Sequence, residues 1–185
     1  MKETLVHMTK VLLCLISDII EGMKRLYLIR HAKSDWSDLS ESDFERGLNK
    51  RGKRNIVRMA NALKEMEIKP DLIISSSAKR AKKTAKGLAK NLGYDHDIML
   101  LDTLYMCEPQ EWMETIHHIP EKYQSVFIIG HNPEITDVTN HLIDDYIDNI
   151  PTLGIIGFDI AVQKWEKFER QHAKYKFFIY PKMYH

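Results

Sequence analysis

Short apolar strands alternate with longer helical segments over most of this chain, and this alternation restricts the fold more than any other feature. Strands are predicted where apolar residues form brief runs, at residues 26–29, 72–75, 125–129, 154–160 and 176–180. Helices are predicted where apolar residues recur at three- and four-residue steps, at residues 49–66, 78–92, 111–118 and 135–143. Such alternation is typical of a mainly parallel sheet with helices on both faces. We therefore predict an α/β fold, a three-layer α/β/α sandwich with a mainly parallel central sheet.

The size and charge of the chain narrow the class of protein further. With 185 residues, 44% of them hydrophobic, the chain suits one domain that buries its core without a disulfide or a metal. The 27 basic and 26 acidic residues give a net charge of +1, which argues against a dedicated nucleic-acid-binding protein. Cys14 and Cys107 are too few for a disulfide framework, so we predict free thiols and a cytoplasmic location.

The first 22 residues are predicted to form an amphipathic helical extension before a single domain at residues 23–185. Their apolar positions recur at helical spacing: Leu5, Met8, Leu12, Leu15, Ile16 and Ile19. The apolar run at residues 11–16 is far shorter than the roughly 20 residues that cross a bilayer, so no membrane segment is predicted. A targeting signal is the alternative, but Asp18 and Glu21 interrupt its pattern and no small-residue cleavage motif follows. A helix packed on the domain or on a partner fits better.

Polar residues stand where three of the predicted strands end. Arg30 and His31 follow the first strand, serines occupy residues 75–77 at the end of the second, and His131 follows Gly130 at the end of the third. In open α/β sheets, ligands bind beyond the carboxyl ends of the strands. The sequence therefore predicts a functional site at this edge of the sheet.

The residue types at this edge suit a phosphoryl group. An arginine binds an anion through parallel N–H groups, and a neutral imidazole beside it can act as a nucleophile. Arg80 opens the helix after the second strand, where free backbone N–H groups also favour an anion. The structural alternatives are an Arg30 paired with Asp35 or Asp43 and a His131 that only shapes a turn. Two arginines and two histidines from three strand ends favour a pocket for a dianionic phosphoryl group.

Metal chemistry is the competing explanation for several histidines, and the sequence does not favour it. His117 and His118 are adjacent and point apart on a helix, and neither a His-Glu-x-x-His motif nor paired Cys-x-x-Cys motifs occur. Asp144, Asp145 and Asp148 do not have the spacing of a calcium loop. We expect neither a metal nor a cofactor.

Three motifs together resemble the histidine phosphatase (phosphoglycerate mutase-like) superfamily. Residues 28–34, Leu-Ile-Arg-His-Ala-Lys-Ser, are similar to its Arg-His-Gly signature, with Ala32 in place of the usual glycine. Residues 75–85 resemble its Ser-x-x-x-Arg-Ala-x-x-Thr-Ala segment, and residues 130–133 resemble its second-histidine motif. The resemblance extends over roughly residues 23–181. Within the superfamily the chain is most similar to the SixA-type phosphohistidine phosphatases, because Arg46-Gly-Leu-Asn-Lys-Arg-Gly resembles a segment of theirs.

The resemblance implies a mechanism for this edge of the sheet. His31 would be the nucleophile and would be phosphorylated during turnover. Arg30, Arg80 and His131 would bind the phosphoryl oxygens, with His131 also stabilising charge in the transition state. Arg46 and Ser34 would join the substrate-binding residues, and no cofactor or metal would be required.

One departure from the family pattern affects the expected substrate. Many members have a Glu or Asp as general acid where this chain has Tyr105 and Met106, and Glu108 stands out of register as a substitute. Loss of the acid favours a phosphoramidate, so we predict a phosphatase acting on phosphohistidine in a protein. The alternatives are a small-molecule phosphomonoesterase that uses Glu108 as acid, and a non-catalytic phospho-ligand binding module.

Overall fold

The computed structural model describes residues 23–38 and 40–184, so the predicted helix over residues 1–22 lies outside the described residues. In chain order the strands are β1 Lys24–Arg30, β2 Leu72–Ser76, β3 Met99–Leu101, β4 Ser125–Gly130, β5 Ile155–Ile160 and β6 Ala173–Ile179. The helices are α1 Lys50–Glu65, α2 Lys79–Leu92, α3 Pro109–His117 and α4 Glu134–Leu142. In this part of the chain no helix combines the length and apolar character needed to cross a bilayer.

The six strands form one mixed sheet in the order β3-β2-β4-β1-β5-β6. Strands β3, β2, β4 and β1 are parallel neighbours, while β5 is antiparallel to both β1 and β6. The parallel part of the sheet contains β1, β2 and β4, the three strands that end in polar residues in the sequence. Strand β3 was not predicted, although its three residues continue an apolar run that begins at Ile98. In the structure it is a short edge strand whose side chains are partly exposed.

Helices cover both faces of the sheet, and the side chains of β1 alternate between two apolar cores. Leu26 and Leu28 pack in the core beneath α3 and α4, whereas Tyr27 and Ile29 pack in the core beneath α1 and α2. A strand buried on both faces is uniformly apolar because it has no solvent side. The predicted three-layer α/β/α sandwich with a mainly parallel sheet is confirmed.

Strand register brings the polar strand ends to one edge. Arg30 is paired with Gly130 in the β1–β4 ladder, and Ser75 is paired with Ile129 in the β2–β4 ladder. Residues immediately after these positions therefore emerge beside one another. Gly130 is required here, since a Cβ at this position would lie 2.4 Å from the Trp112 ring.

Candidate active site

Two histidines and an arginine from three elements form a buried cluster at this edge. The ring centroids of His31 and His131 are 5.1 Å apart, and Arg80 Nε lies 3.2 Å from His31 Nε2. The exposed fractions are 7% for His31, 7% for Arg80 and 4% for His131. The expected convergence of these side chains is therefore observed.

The hydrogen bonds of His31 assign its tautomer. Nδ1 lies 2.8 Å from the carbonyl oxygen of Ala32, which can only accept, so Nδ1 carries the proton. Nε2 then keeps its lone pair and accepts the N–H of Arg80. Burial, together with the charges of Arg80 and Arg30, lowers the pKa of His31 to about 3. His31 is thus a neutral imidazole with its nucleophilic nitrogen facing an arginine.

Thr84 links the residues after β1 to the first turn of α2. Its hydroxyl donates to the carbonyl oxygen of Arg80 at 2.7 Å and accepts the N–H of Ala32 at 3.0 Å. Ala32 is fully buried, so this link fixes the backbone on both sides of the His31–Arg80 contact. Thr84 lies in the Ser-x-x-x-Arg-Ala-x-x-Thr-Ala segment at residues 75–85, but no role was predicted for it.

His131 is held by the end of β2. Its Nε2 lies 2.9 Å from Ser76 Oγ, which also accepts the N–H of Ala78. Because the Ser76 hydroxyl can donate and can also accept a second hydrogen bond, this contact suits either tautomer of His131. When the hydroxyl donates to Nε2, the histidine proton lies on Nδ1. Burial lowers the pKa of His131 to about 3, and the cost of placing a second positive charge beside His31 and Arg80 acts in the same direction.

Three side chains of this edge have buried nitrogens without a hydrogen-bond partner among the described residues. These atoms are Arg30 Nε, Arg46 Nε and His131 Nδ1. Arg30 is anchored through Nη1, which donates to the carbonyl oxygen of Ile150 at 2.6 Å and to Asn149 Oδ1 at 3.3 Å. Buried donors without partners are costly, and an oxyanion with several acceptor oxygens would satisfy them.

Asp43 also belongs to this site, although it was predicted only as a partner of Arg30. Its Oδ1 accepts from Arg46 at 2.8 Å, and its Oδ2 accepts from Arg80 and from the Tyr105 hydroxyl, each at 2.8 Å. Burial raises the pKa of the Asp43 carboxyl, but the hydrogen bonds from Tyr105 and Arg80 outweigh it and lower the pKa overall. The alternative pairing of Asp43 with Arg30 is not observed. The three-residue spacing of Asp43 and Arg46 in the sequence was the signal that could have predicted their ion pair.

Arg46 is also stacked on an aromatic ring. Its guanidinium carbon lies 3.5 Å from the centroid of Trp36, whose indole N–H donates to Ser34 Oγ at 3.2 Å. Ser34 is buried, while Trp36 is 57% exposed. Among the described contacts, Ser34 therefore acts on the site through Trp36 and Arg46.

Trp36→Ala is expected to raise KM for a phosphorylated substrate about three- to tenfold with kcat changed less than twofold, because Arg46 loses a cation–π contact of about 1 kcal/mol. Trp36→Phe keeps a ring beneath Arg46 but loses the hydrogen bond to Ser34, and it should stay near wild type. Steady-state kinetics would check both, with the exposed Tyr146 replaced by Ala as a control. A kcat that falls as much as kcat/KM would contradict the stacking role.

Glu108 and Tyr105 differ in their relation to the cluster. Glu108 is exposed at the start of α3, where its backbone N–H donates to Glu111 Oε2 at 2.6 Å. Its carboxylate makes no hydrogen bond to the cluster within the described residues. Tyr105 lies in the cluster, with its ring centroid 5.4 Å from that of His131. Burial and the hydrogen bond to Asp43 raise the pKa of Tyr105.

Within residues 23–38 and 40–184, no three His, Cys, Asp or Glu side chains are grouped to hold a metal ion.

The two low histidine pKa values predict an acid-sensitive fold. Above pH 6.5 both histidines are neutral in the folded and unfolded chain, so they add no pH dependence. Below pH 6.5 only the unfolded chain takes up protons, so the free energy of unfolding falls until the folded pKa of about 3 is reached. At pH 5 the loss is about 2 kcal/mol for each histidine.

Urea unfolding at pH 7 and pH 5 would measure this loss. His131→Gln should remove roughly half of it, and the same change at the exposed His96 should remove none. An equal loss in wild type and His131→Gln protein would show that His131 is not held neutral.

Comparison with known proteins defines the class of this fold and site. Residues 26–144, more than half of the chain, match the family model described as histidine phosphatase superfamily (branch 1). The chain therefore belongs to the histidine phosphatase superfamily. Within it the structure is SixA-like, as the sequence motifs predicted.

Three relatives illustrate the similarity. A structure assigned as the phosphohistidine phosphatase SixA of Agrobacterium tumefaciens is 27% identical, with a TM-score of 0.72 over 84% of this chain and 97% of that one. A SixA protein histidine phosphatase complexed with tungstate is 19% identical, with a TM-score of 0.74 over 86% and 98%, and shows the fold alone. An uncharacterized chloroplastic protein of Arabidopsis thaliana is 30% identical over 118 residues, 59% of this chain. This chain spans about half the length of that relative, 54%.

Proposed function

We propose that this phosphatase removes the phosphoryl group from phosphohistidine in a protein, through a phosphohistidine intermediate on His31. The observation that supports it most is the neutral His31, whose Nε2 lone pair lies 3.2 Å from Arg80 Nε. Unpaired buried nitrogens of Arg30, Arg46 and His131 provide donors for the phosphoryl oxygens. A nucleophile surrounded by anion-binding groups suits phosphoryl transfer better than binding alone.

In the first step, His31 Nε2 attacks phosphorus. The Arg80 N–H leaves Nε2 for a phosphoryl oxygen, and Arg30 and His131 donate to the others. The new bond joins Nε2 to phosphorus, while the bond from phosphorus to the substrate nitrogen breaks and its electron pair stays with that nitrogen. Guanidinium groups that donate parallel N–H bonds to the charged phosphoryl oxygens stabilise the transition state.

In the second step, water attacks the phosphorus held on His31. The oxygen–phosphorus bond forms, the bond to Nε2 breaks, and Nε2 recovers its lone pair. Inorganic phosphate leaves, with the proton of the attacking water passing to the phosphate or the solvent. The hydrogen bond from Nδ1 to the carbonyl oxygen of Ala32 holds the ring in one orientation through both steps.

Phosphohistidine suits this site as a substrate because its leaving group needs no proton from an acid of the protein. An alkoxide requires an acid to depart, whereas a phosphorylated imidazole can carry a proton on its other ring nitrogen and leave as a neutral base. Asp43 has a lowered pKa and contacts two arginines, so it is ionised and has no proton to donate. Glu108 is exposed and does not contact the cluster among the described hydrogen bonds. The similarity to SixA phosphatases points to the same substrate.

Phosphate release from a phosphohistidine protein and from para-nitrophenyl phosphate would test the proposal, using wild type and Glu108→Gln. We expect a higher kcat/KM for the phosphohistidine protein, less than twofold change in Glu108→Gln, and unchanged rates in excess EDTA. Faster ester hydrolysis that Glu108→Gln abolishes would instead establish a phosphomonoesterase with Glu108 as acid. Binding of the phosphoprotein without any release would establish a binding module.

The cytoplasmic location stays a prediction, since the Arabidopsis relative is chloroplastic.

A further inference from the structure

A cleft of about 540 Å³ opens beside the candidate active site, between α1 and the end of β6. Asn149 joins the two, because it lines the cleft and also accepts a hydrogen bond from Arg30 at 3.3 Å. A group bound in the cleft would therefore lie next to a phosphoryl group held by Arg30.

The cleft is strongly cationic. Its lining contains four basic side chains and no acidic one: Arg51, Arg54, Arg58 and Lys182. All four are exposed, and none forms an ion pair within the part of the chain that the structure describes. This local excess contrasts with the net charge of +1 for the whole chain. Arg58 donates one hydrogen bond to the carbonyl oxygen of Pro181 at 3.4 Å, and none of the three arginines has a carboxylate partner among the described residues. Such arginines facing an open cleft favour carboxylates or phosphates, which they bind in forked geometry.

The arrangement of the charges indicates an extended ligand. Arg51, Arg54 and Arg58 follow one another along α1, and seven residues of helix extend for about 10 Å. Lys182 lies on the opposite wall, where Phe178 and Tyr180 add aromatic surface. A single small anion would touch one or two of these cations, whereas an extended acidic segment would reach all of them.

We propose that this cleft docks an acidic segment of the phosphorylated protein partner, next to the phosphohistidine that enters the site. The inference rests on the proposed function and adds to it the charge of the substrate around the phosphorylated residue. Docking through exposed charges acts mainly on association, so it should weaken steeply with salt.

Two phosphohistidine peptides would test the docking, one with four Glu and the other with four Gln on each side of the phosphohistidine. At low salt we expect wild type to favour the acidic peptide at least tenfold in kcat/KM and to lose most of this preference in 0.5 M NaCl. Arg51→Glu/Arg54→Glu should abolish the preference while leaving hydrolysis of the neutral peptide within twofold. Lys86→Glu/Lys90→Glu is the matched control, since it reverses two exposed charges on α2 and should keep the preference.

The outcomes separate the docking from the proposed function. Equal hydrolysis of both peptides by wild type would overturn the docking proposal and leave the phosphatase proposal unaffected. A preference for the acidic peptide that survives Arg51→Glu/Arg54→Glu would do the same. Hydrolysis of neither peptide would overturn the phosphatase proposal. In that case, fluorescence anisotropy of the acidic peptide on wild type and on Arg51→Glu/Arg54→Glu decides the docking. Where that variant does not fold, Arg58→Glu/Lys182→Glu replaces it on the same cleft.

Discussion

His31→Ala protein is expected to release no phosphate above background, with kcat lowered by at least about a thousandfold. The substitution removes the nitrogen that would form the bond to phosphorus, and no neighbouring side chain can take its place. His131 Nε2 is engaged by Ser76 Oγ at 2.9 Å, and both carboxylate oxygens of Asp43 already accept hydrogen bonds from Arg46, Arg80 and Tyr105. Binding of a phosphorylated ligand should survive, since Arg30 and Arg80 remain.

Acid- and base-quenched reactions with radiolabelled substrate would check this expectation directly. Wild type should carry a label that is stable in base and lost in acid, as expected for phosphohistidine, and His31→Ala should carry none. His96→Ala is the control, because His96 is exposed and far from the cluster in sequence and contacts. Labelled His31→Ala protein, or turnover within tenfold of wild type, would remove His31 from the proposed role.

Arg80→Ala is expected to lower kcat/KM by at least about a thousandfold. Arg80 contacts His31 through Nε and Asp43 through its terminal nitrogens, so its loss removes a phosphate-binding fork and leaves the Asp43 carboxylate beside the histidines without one of its cations. Arg80→Lys keeps the charge but not the fork, and should recover only part of the loss.

Lys79→Ala is the matched control for Arg80. Lys79 is the preceding residue, is about one-third exposed and pairs with Glu41 at 2.6 Å, outside the histidine cluster. Its removal should change kcat/KM less than threefold, and thermal unfolding would verify that both variants fold. If Arg80→Ala and Lys79→Ala had equal effects, the arginine would be part of the basic surface of α2 only.

Local sequence pattern predicted the sheet and the meeting of the polar strand ends, because both depend on short-range signals. Apolar runs such as the one in β1 predict doubly buried strands, and parallel register then brings their ends together. Strand β3 was missed although residues 98–101 form an apolar run, and in the structure it is a three-residue edge strand with partly exposed side chains. The antiparallel direction of β5 left no local signal.

The contacts within the site depend on long-range packing, and they were harder to predict. Asp43 reaches Arg80 and Tyr105 across 37 and 62 residues of sequence. Thr84 reaches Ala32 across 52 residues. No periodicity encodes such pairings, and the sequence analysis named Asp43 only as a partner for Arg30. Arg46 was assigned to the site by family resemblance, and its stacking on Trp36 appeared only in the structure.

The Asp43 carboxylate neutralises part of the positive charge that Arg80 and Arg46 bring to the site. It already supplies Arg80 and Arg46 with an anion, each at 2.8 Å, so an arriving phosphoryl group gains less from these two side chains than it would from unpaired arginines. The same exchange works in reverse when phosphate departs, because the carboxylate recovers the arginines that the product releases. We expect an internal anion of this kind to limit product inhibition and to weaken the ground-state affinity for phosphate.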